Sequence, residues 1–167
     1  MTPSYKTLHS DFMLNGLSCS WEDLKYLGYA FVKEGETYEK SIGDFLLNWS
    51  DANETISVNT SGSTGKPKSI LLKKEYMVNS ALATGEYFNL KPGNKALLCL
   101  SAENIAGKMM LVRAMVLGLD LYCIEPSSRP LEFLSKRYNF CAMVPMQLEN
   151  SLYAINRIKM LIVGGAA

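Results

Sequence analysis

The sequence predicts an α/β protein, a mostly parallel sheet with helices on both faces preceded by a helical N-terminal arm, and two observations lead there. From Thr55 onward short apolar strands alternate with helical segments, the rhythm of strand-helix-strand units in a parallel sheet. At 167 residues and 48% hydrophobic content the chain is long enough to bury one core. The sequence divides accordingly into an arm, residues 1–54, and an α/β core, residues 55–167.

In the arm, Ser20 followed by Asp23 has the spacing of a reciprocal helix cap, opening a helix through WEDLKYLGYAFVK that Gly28 weakens. A second helix is expected over YEKSIGDFLLNW, where Ile42, Phe45, Leu46 and Trp49 recur at helical spacing. The expected strands of the core are TISVNT, SILLKK, KALLCL, DLYCIE, NFCAMV and KMLIVG, and the expected helices are KEYMVNSALATGEYF, NIAGKMMLVRAMVLG, RPLEFLSKRY and PMQLENSLY. Lys91-Pro92-Gly93-Asn94 is a turn, with proline supplying its fixed φ and glycine the positive one. IKMLIVGGAA reads as a core strand ending in a glycine turn, at the strand end where open α/β sheets bind ligands. A helix is expected to follow such a strand, so the chain is expected to be the N-terminal portion of a longer protein.

Lys plus Arg number 17 against 16 Asp plus Glu, a formal net charge of +1, so nothing draws the chain as a whole toward nucleic acid or an anionic membrane. Cys19, Cys99, Cys123 and Cys141 are widely spaced without a C-x-x-C pair, which fits a reduced, cytoplasmic setting. The N-terminus lacks the basic and apolar succession of a signal peptide, and Lys108, Arg113 and Asp120 interrupt the most apolar stretch well short of the ~20 residues that span a membrane.

VNTSGSTGKPKSILL is a poor core and a good anion cradle. Small side chains at Thr60, Ser61, Gly62, Ser63, Thr64 and Gly65 let backbone N–H groups approach an anion, and Lys66 and Lys68 add positive charge. A P-loop needs four residues between its glycines and Ser or Thr after the lysine; only Ser63 and Thr64 separate Gly62 from Gly65, and Pro67 follows Lys66. The loop is therefore no Walker motif.

The run from Thr60 to Lys68 resembles, at every fixed position, the Thr-Ser-Gly-Ser/Thr-Thr-Gly-x-Pro-Lys signature of the adenylate-forming enzymes, the acyl-CoA synthetase superfamily. The resemblance covers most of the chain. CLSAENIAGKMMLVRAMVLGLDLYCIEP is similar to the segment in which these enzymes carry a strand, a His or Asn with glycine three residues on, and a helix lining the acyl pocket; Asn104 and Gly107 take those positions. FCAMVPMQLENSL resembles their strand-Val-Pro-x-x-Leu segment, and Gly164, Gly165 and Ala166 their Gly-Gly-Ala turn. The helix with its internal Arg113 looks most like the o-succinylbenzoyl-CoA synthetases of menaquinone biosynthesis.

The resemblance implies the N-terminal part of an acyl-CoA synthetase large domain and a two-step reaction of ATP, Mg2+, CoA and a small carboxylate substrate. It implies that Ser61 to Gly65 cradle phosphates, that Lys68 neutralises the departing pyrophosphate, that Thr64 steadies the transferred group, and that backbone at Gly164 to Ala166 lies against adenine and acyl group. Lys66, at a tip beside Pro67, is expected in solvent. The metal-binding Glu, the ribose-binding Asp, the hinge and the second lysine of the family have no counterpart in these residues, so the chain alone is expected to be inactive.

Arg113 has two readings: it pairs with a core carboxylate, or it holds a carboxylate of the substrate, as a dicarboxylate would suit. Lys108 is expected to face solvent on another side of the helix, His9 to be a surface residue, and Met109, Met110 and Met115 to be core packing. A non-catalytic nucleotide-binding or interaction module derived from the same family is the competing reading, and an exposed sheet edge makes self-association an expectation in either case.

Overall fold

The computed structural model describes residues 3–60 and 68–165. At the centre of its main sheet β5 (Lys95–Leu98) and β7 (Tyr138–Met143) run parallel. β6 (Asp120–Cys123) pairs in parallel with the other side of β5, and β8 (Ile158–Val163) with the far side of β7. The arm extends this sheet: β1 (Met13–Leu14) runs parallel to β6 and is paired antiparallel with β2 (Leu17–Ser18), giving the order β2-β1-β6-β5-β7-β8. A two-residue strand carries too little periodicity to be read from sequence, and the arm is therefore not helical throughout.

Strand residues alternate between two cores, as the pleat requires. Ala96, Leu98, Phe140 and Ala142 enter one, and Leu97, Cys99, Cys141 and Met143 the other. The first core is roofed by α4 (Ile105–Leu117), the second by Leu131 and the 3-10 helix Leu152–Arg157, so the sheet is covered on both faces. That division follows from chirality: β5 crosses to β6 in one direction and β7 to β8 in the other, and right-handed crossovers then lie on opposite faces. α4 has no polar stripe because it is enclosed on several sides, by the sheet, by α3 (Lys74–Tyr87) and by the N-terminal segment, where the His9 N–H donates to the Met115 carbonyl at 3.0 Å.

The two arm helices form close to where periodicity put them, α1 at Asp23–Glu34 and α2 at Thr37–Trp49. The Ser20 N–H donates to Asp23 Oδ2 at 2.8 Å and the Asp23 N–H to Ser20 Oγ at 3.3 Å, the reciprocal pair that the spacing suggested. Gly28 does more than weaken α1. A Cβ there would lie 3.2 Å from the Gly43 carbonyl, and one on Gly43 would lie 2.7 Å from the Gly28 carbonyl, so the two helices cross backbone to backbone.

Three expectations are corrected, the last only in part. TISVNT and SILLKK form β3 (Thr55–Thr60) and β4 (Lys68–Lys73), but they pair antiparallel with each other as a separate two-stranded sheet rather than joining the parallel one. RPLEFLSKRY forms a turn, not a helix. Arg157 explains the difference: its guanidinium donates to the carbonyl of Leu131 at 3.2 Å and to that of Leu134, taking up acceptors a helix would have used, while Leu131 is drawn fully into the second core. PMQLENSLY is half right, with α5 (Pro145–Glu149) ending before the 3-10 helix.

The hairpin is anchored at its base. Lys74 is fully buried, and its Nζ donates to the Trp49 carbonyl at 3.0 Å and to Asp51 Oδ1 at 2.7 Å. Its N–H donates to the Glu54 carbonyl at 2.8 Å. Burial pushes the Asp51 carboxyl up, but bonds from Lys74 and Asn53 outweigh it and leave the group below its ordinary value. A carboxyl held low stabilises the fold above its unfolded pKa and loses that contribution as pH falls through the folded one. Asp51→Ala, which strands the buried ammonium, is expected to lower unfolding free energy by about 2 kcal/mol at neutral pH in urea titrations, a figure reduced because Asp51 is partly exposed. The difference from wild type is expected to narrow in acid.

Candidate functional site

The hairpin brings the two ends of the signature together. Thr60 and Lys68 are register partners, the last pair of the ladder that begins at Thr55↔Lys73. Ser61, Gly62, Ser63, Thr64, Gly65 and Lys66 lie outside the described residues, as does Ala166; Thr60 and Lys68 are placed by their backbone only. One residue before the loop, Asn59 makes a parallel bridge to Asn104, the residue that opens α4. The hairpin thus meets the main body at the carboxyl end of β5.

Asn104 has extended backbone (φ −95, ψ 154) and an exposed side chain that makes no capping bond of its own. The turn before it is held by contacts that sequence alone did not disclose. A Cβ on Gly107 would stand 2.2 Å from the Ser101 carbonyl oxygen, so α4 lies directly on the Ser101 backbone. Glycine at this position answers to packing. Lys108 does not face open solvent as expected: it is half-buried, and its Nζ donates to the carbonyls of Ala102 and Glu103, each at 2.9 Å. Burial pulls its pKa down, against the pull of Glu103 and Asp44 in the other direction.

On the other side of the head of α4 a cavity of about 200 Å³ opens at the carboxyl ends of the parallel strands. Leu100, Ile105 and Met109 give it an apolar wall, Gly164 and Gly165 line its rim, and Arg113 reaches it from the third turn of α4. Gly165 has φ +85, a conformation only glycine adopts without strain, and it turns the chain out of β8 against the Val144 side chain. Arg113 is half-buried; its Nε donates to Thr84 Oγ1 of α3 at 3.3 Å, and no carboxylate pairs with it among the described residues. Burial holds its pKa below the ordinary arginine value, though guanidinium remains charged at any physiological pH. The structure therefore groups Arg113, Gly164 and Gly165 around one cavity, while Asn104 stands one residue before Ile105 of its wall and bridges Asn59 of the hairpin.

Neighbouring features support this corner. Gln147 is buried and its Nε2 donates to the carbonyls of Cys99 at 2.9 Å and Ser127 at 2.8 Å, fixing the exit of β5 where the strand order reverses. Its neighbourhood of Val144 and Pro145 gave no sign that the amide would be turned inward. His9 is half-buried rather than a surface residue, packed against Gly118 and accepting the Asp11 N–H at 3.2 Å, away from the cavity. Met109, Met110 and Met115 are core, as expected. All four cysteines are free, and burial pushes the thiol of Cys19 up to about 11 and that of Cys123 up to about 12, which makes both poor nucleophiles. No helix among the described residues is long and apolar enough to cross a membrane.

A parallel sheet whose cavity opens where the strand order reverses defines an α/β protein with its site in the usual crevice of open sheets. The chain belongs to the AMP-binding enzyme family, which it matches over residues 33–167. Its fold is similar to that of an acyl-CoA synthetase (AMP-forming)/AMP-acid ligase II-like protein from Dyadobacter fermentans, at 37% identity and a TM-score of 0.74, over 86% of this chain and 43% of that one. It is also similar in fold to o-succinylbenzoate coenzyme A synthetase of Bacillus subtilis in complex with ATP and magnesium, at 21% identity and a TM-score of 0.57, over 65% and 24% of the two chains. MenE of E. coli with bound OSB-AMS follows at 23% identity and a TM-score of 0.54, over 66% and 25%. The chain thus spans less than half the length of each of these relatives. No curated protein matches it in sequence.

Gly107→Ala is expected to force the head of α4 off the Ser101 backbone and to cost about 2 kcal/mol of stability, measured as the change in urea midpoint at constant slope.

Proposed function

We propose that these residues supply the phosphate grip and acyl pocket of an ATP-dependent acyl-CoA ligase, and that its carboxylate is an aromatic dicarboxylate of the o-succinylbenzoate kind. The observation that carries the reading is the pairing of Thr60 with Lys68 at the hairpin tip, one residue from the Asn59–Asn104 bridge that leads to the Arg113 cavity. Phosphate donors on the loop and an acyl pocket at Arg113 would then be neighbours, as an attack of carboxylate on phosphorus demands.

In the first step a carboxylate oxygen bonds to the α-phosphorus of ATP and the bond to the bridging oxygen breaks, releasing pyrophosphate. In the second the thiol of CoA adds to the acyl carbon and AMP departs. Two anions must meet in the first step, so charge neutralisation carries most of the work. The Ser61 to Gly65 backbone would hold the phosphates, Thr64 would steady the group under attack, and Lys68 would balance the charge on the leaving pyrophosphate. Arg113 would hold the second carboxylate: a half-buried guanidinium without an acidic partner among the described residues, set in an apolar wall, suits an apolar acid with a spare anionic end. Among the described residues no three His, Cys, Asp or Glu side chains gather at one place.

Calorimetric titration of the chain with ATP tests the reading. Lys68→Ala is expected to weaken ATP binding about tenfold; binding untouched by that substitution would remove the loop assignment. Arg113→Leu is expected to weaken o-succinylbenzoate binding about tenfold while leaving ATP affinity unchanged. Equal affinity for the dicarboxylate in both proteins would return Arg113 to a purely structural part.

A further inference from the structure

Lys108 stands in an electrostatically poor place. It occupies the first turn of α4, where the helix macrodipole is positive and a cation is disfavoured. Side chains on a helix lean toward its N-terminus, so the ammonium arrives above the preceding turn, where it meets the Ala102 and Glu103 carbonyls at 2.9 Å each. Neither Glu103 nor Asp44 of α2, the acids that face it, comes within ion-pair distance. The charge therefore goes to backbone rather than to a carboxylate. Its two acceptors are the residues immediately before Asn104, whose own N–H donates to the Ser101 carbonyl at 3.3 Å and which bridges Asn59.

We propose that Lys108 is a positioning residue, its ammonium fastening the Ala102–Glu103 backbone and so holding Asn104 against Asn59 at the root of the loop that follows Thr60. Geometry supports a device rather than an incidental contact. Gly107 removes the side chain that would keep α4 away from Ser101, and the adjacent lysine then bonds the next two carbonyls in line. Any consequence for nucleotide binding rests on the function proposed above; the placement of Asn104 does not.

Amide hydrogen exchange of wild-type, Lys108→Gln and Lys108→Arg chains tests this, with ATP affinity measured in parallel. The Gln variant is expected to exchange at Asn104 about tenfold faster while amides at Met110 to Val112 of α4 keep their rates, and the Arg variant is expected to restore protection. Unchanged exchange at Asn104 in the Gln variant, failure of Arg to restore it, acceleration along the whole of α4, or a Gln variant that does not fold would each overturn the proposal in favour of no role or a general structural one. ATP affinity is expected to fall about tenfold with Gln and to recover with Arg. Wild-type chain that binds no ATP would refute the functional reading, and the exchange rates would still decide the part of Lys108.

Discussion

The arrangement depends on one buried cation. Lys74 ends the hairpin and begins α3, and its ammonium is bound by the last carbonyl of α2 and by Asp51. The hairpin, α2 and α3 are joined at that nitrogen. A lysine taken wholly out of water is costly, and the cost is offset only while its acceptors stay in place. The same requirement makes the joint specific. The hairpin has no ladder to the main sheet, so its direction comes from its base at Lys74, from the bridge at Asn59 and from Ile56 and Val58, which are buried in the first core.

From that base the rest of the site follows by geometry. Asn59 of the hairpin bridges Asn104, where α4 starts, and α4 carries Arg113 to the cavity rimmed by Gly164 and Gly165. α4 can be apolar nearly all round because sheet, α3 and N-terminal segment cover it. An arginine in such a helix is kept by a hydrogen bond to Thr84 and by an opening onto the cavity rather than by an ion pair. Packing and site are the same contacts here.

Strands and helices with clear periods were legible, and the parallel sheet with them. The pairing of β3 with β4 was not, because a strand's sequence does not state its partner, and a short apolar run before a glycine-rich turn reads alike in a hairpin or in a crossover. The helix expected at RPLEFLSKRY was lost to an acceptor competition that only the distant Arg157 reveals. In the site, Asn104 and Gly107 were named through the family resemblance and Arg113 as a charge within an apolar helix, but Gly107 proved to answer to the Ser101 backbone, and Lys108 gave no sign that it would reach back to the turn before its helix. Contacts of this kind are tertiary, and no local pattern encodes them.

The backbone crossing of Gly28 and Gly43 has a consequence for how the arm behaves as a unit. The two main chains approach closely at Gly28 and Gly43, and Leu47, Phe31 and Val32 pack around the crossing, so the two helices form one tightly packed plate. That plate ends at Trp49, whose ring stacks on Phe45 at 5.6 Å and whose carbonyl grips Lys74. The foot of the hairpin is thereby tied, through α2, to the packing of α1.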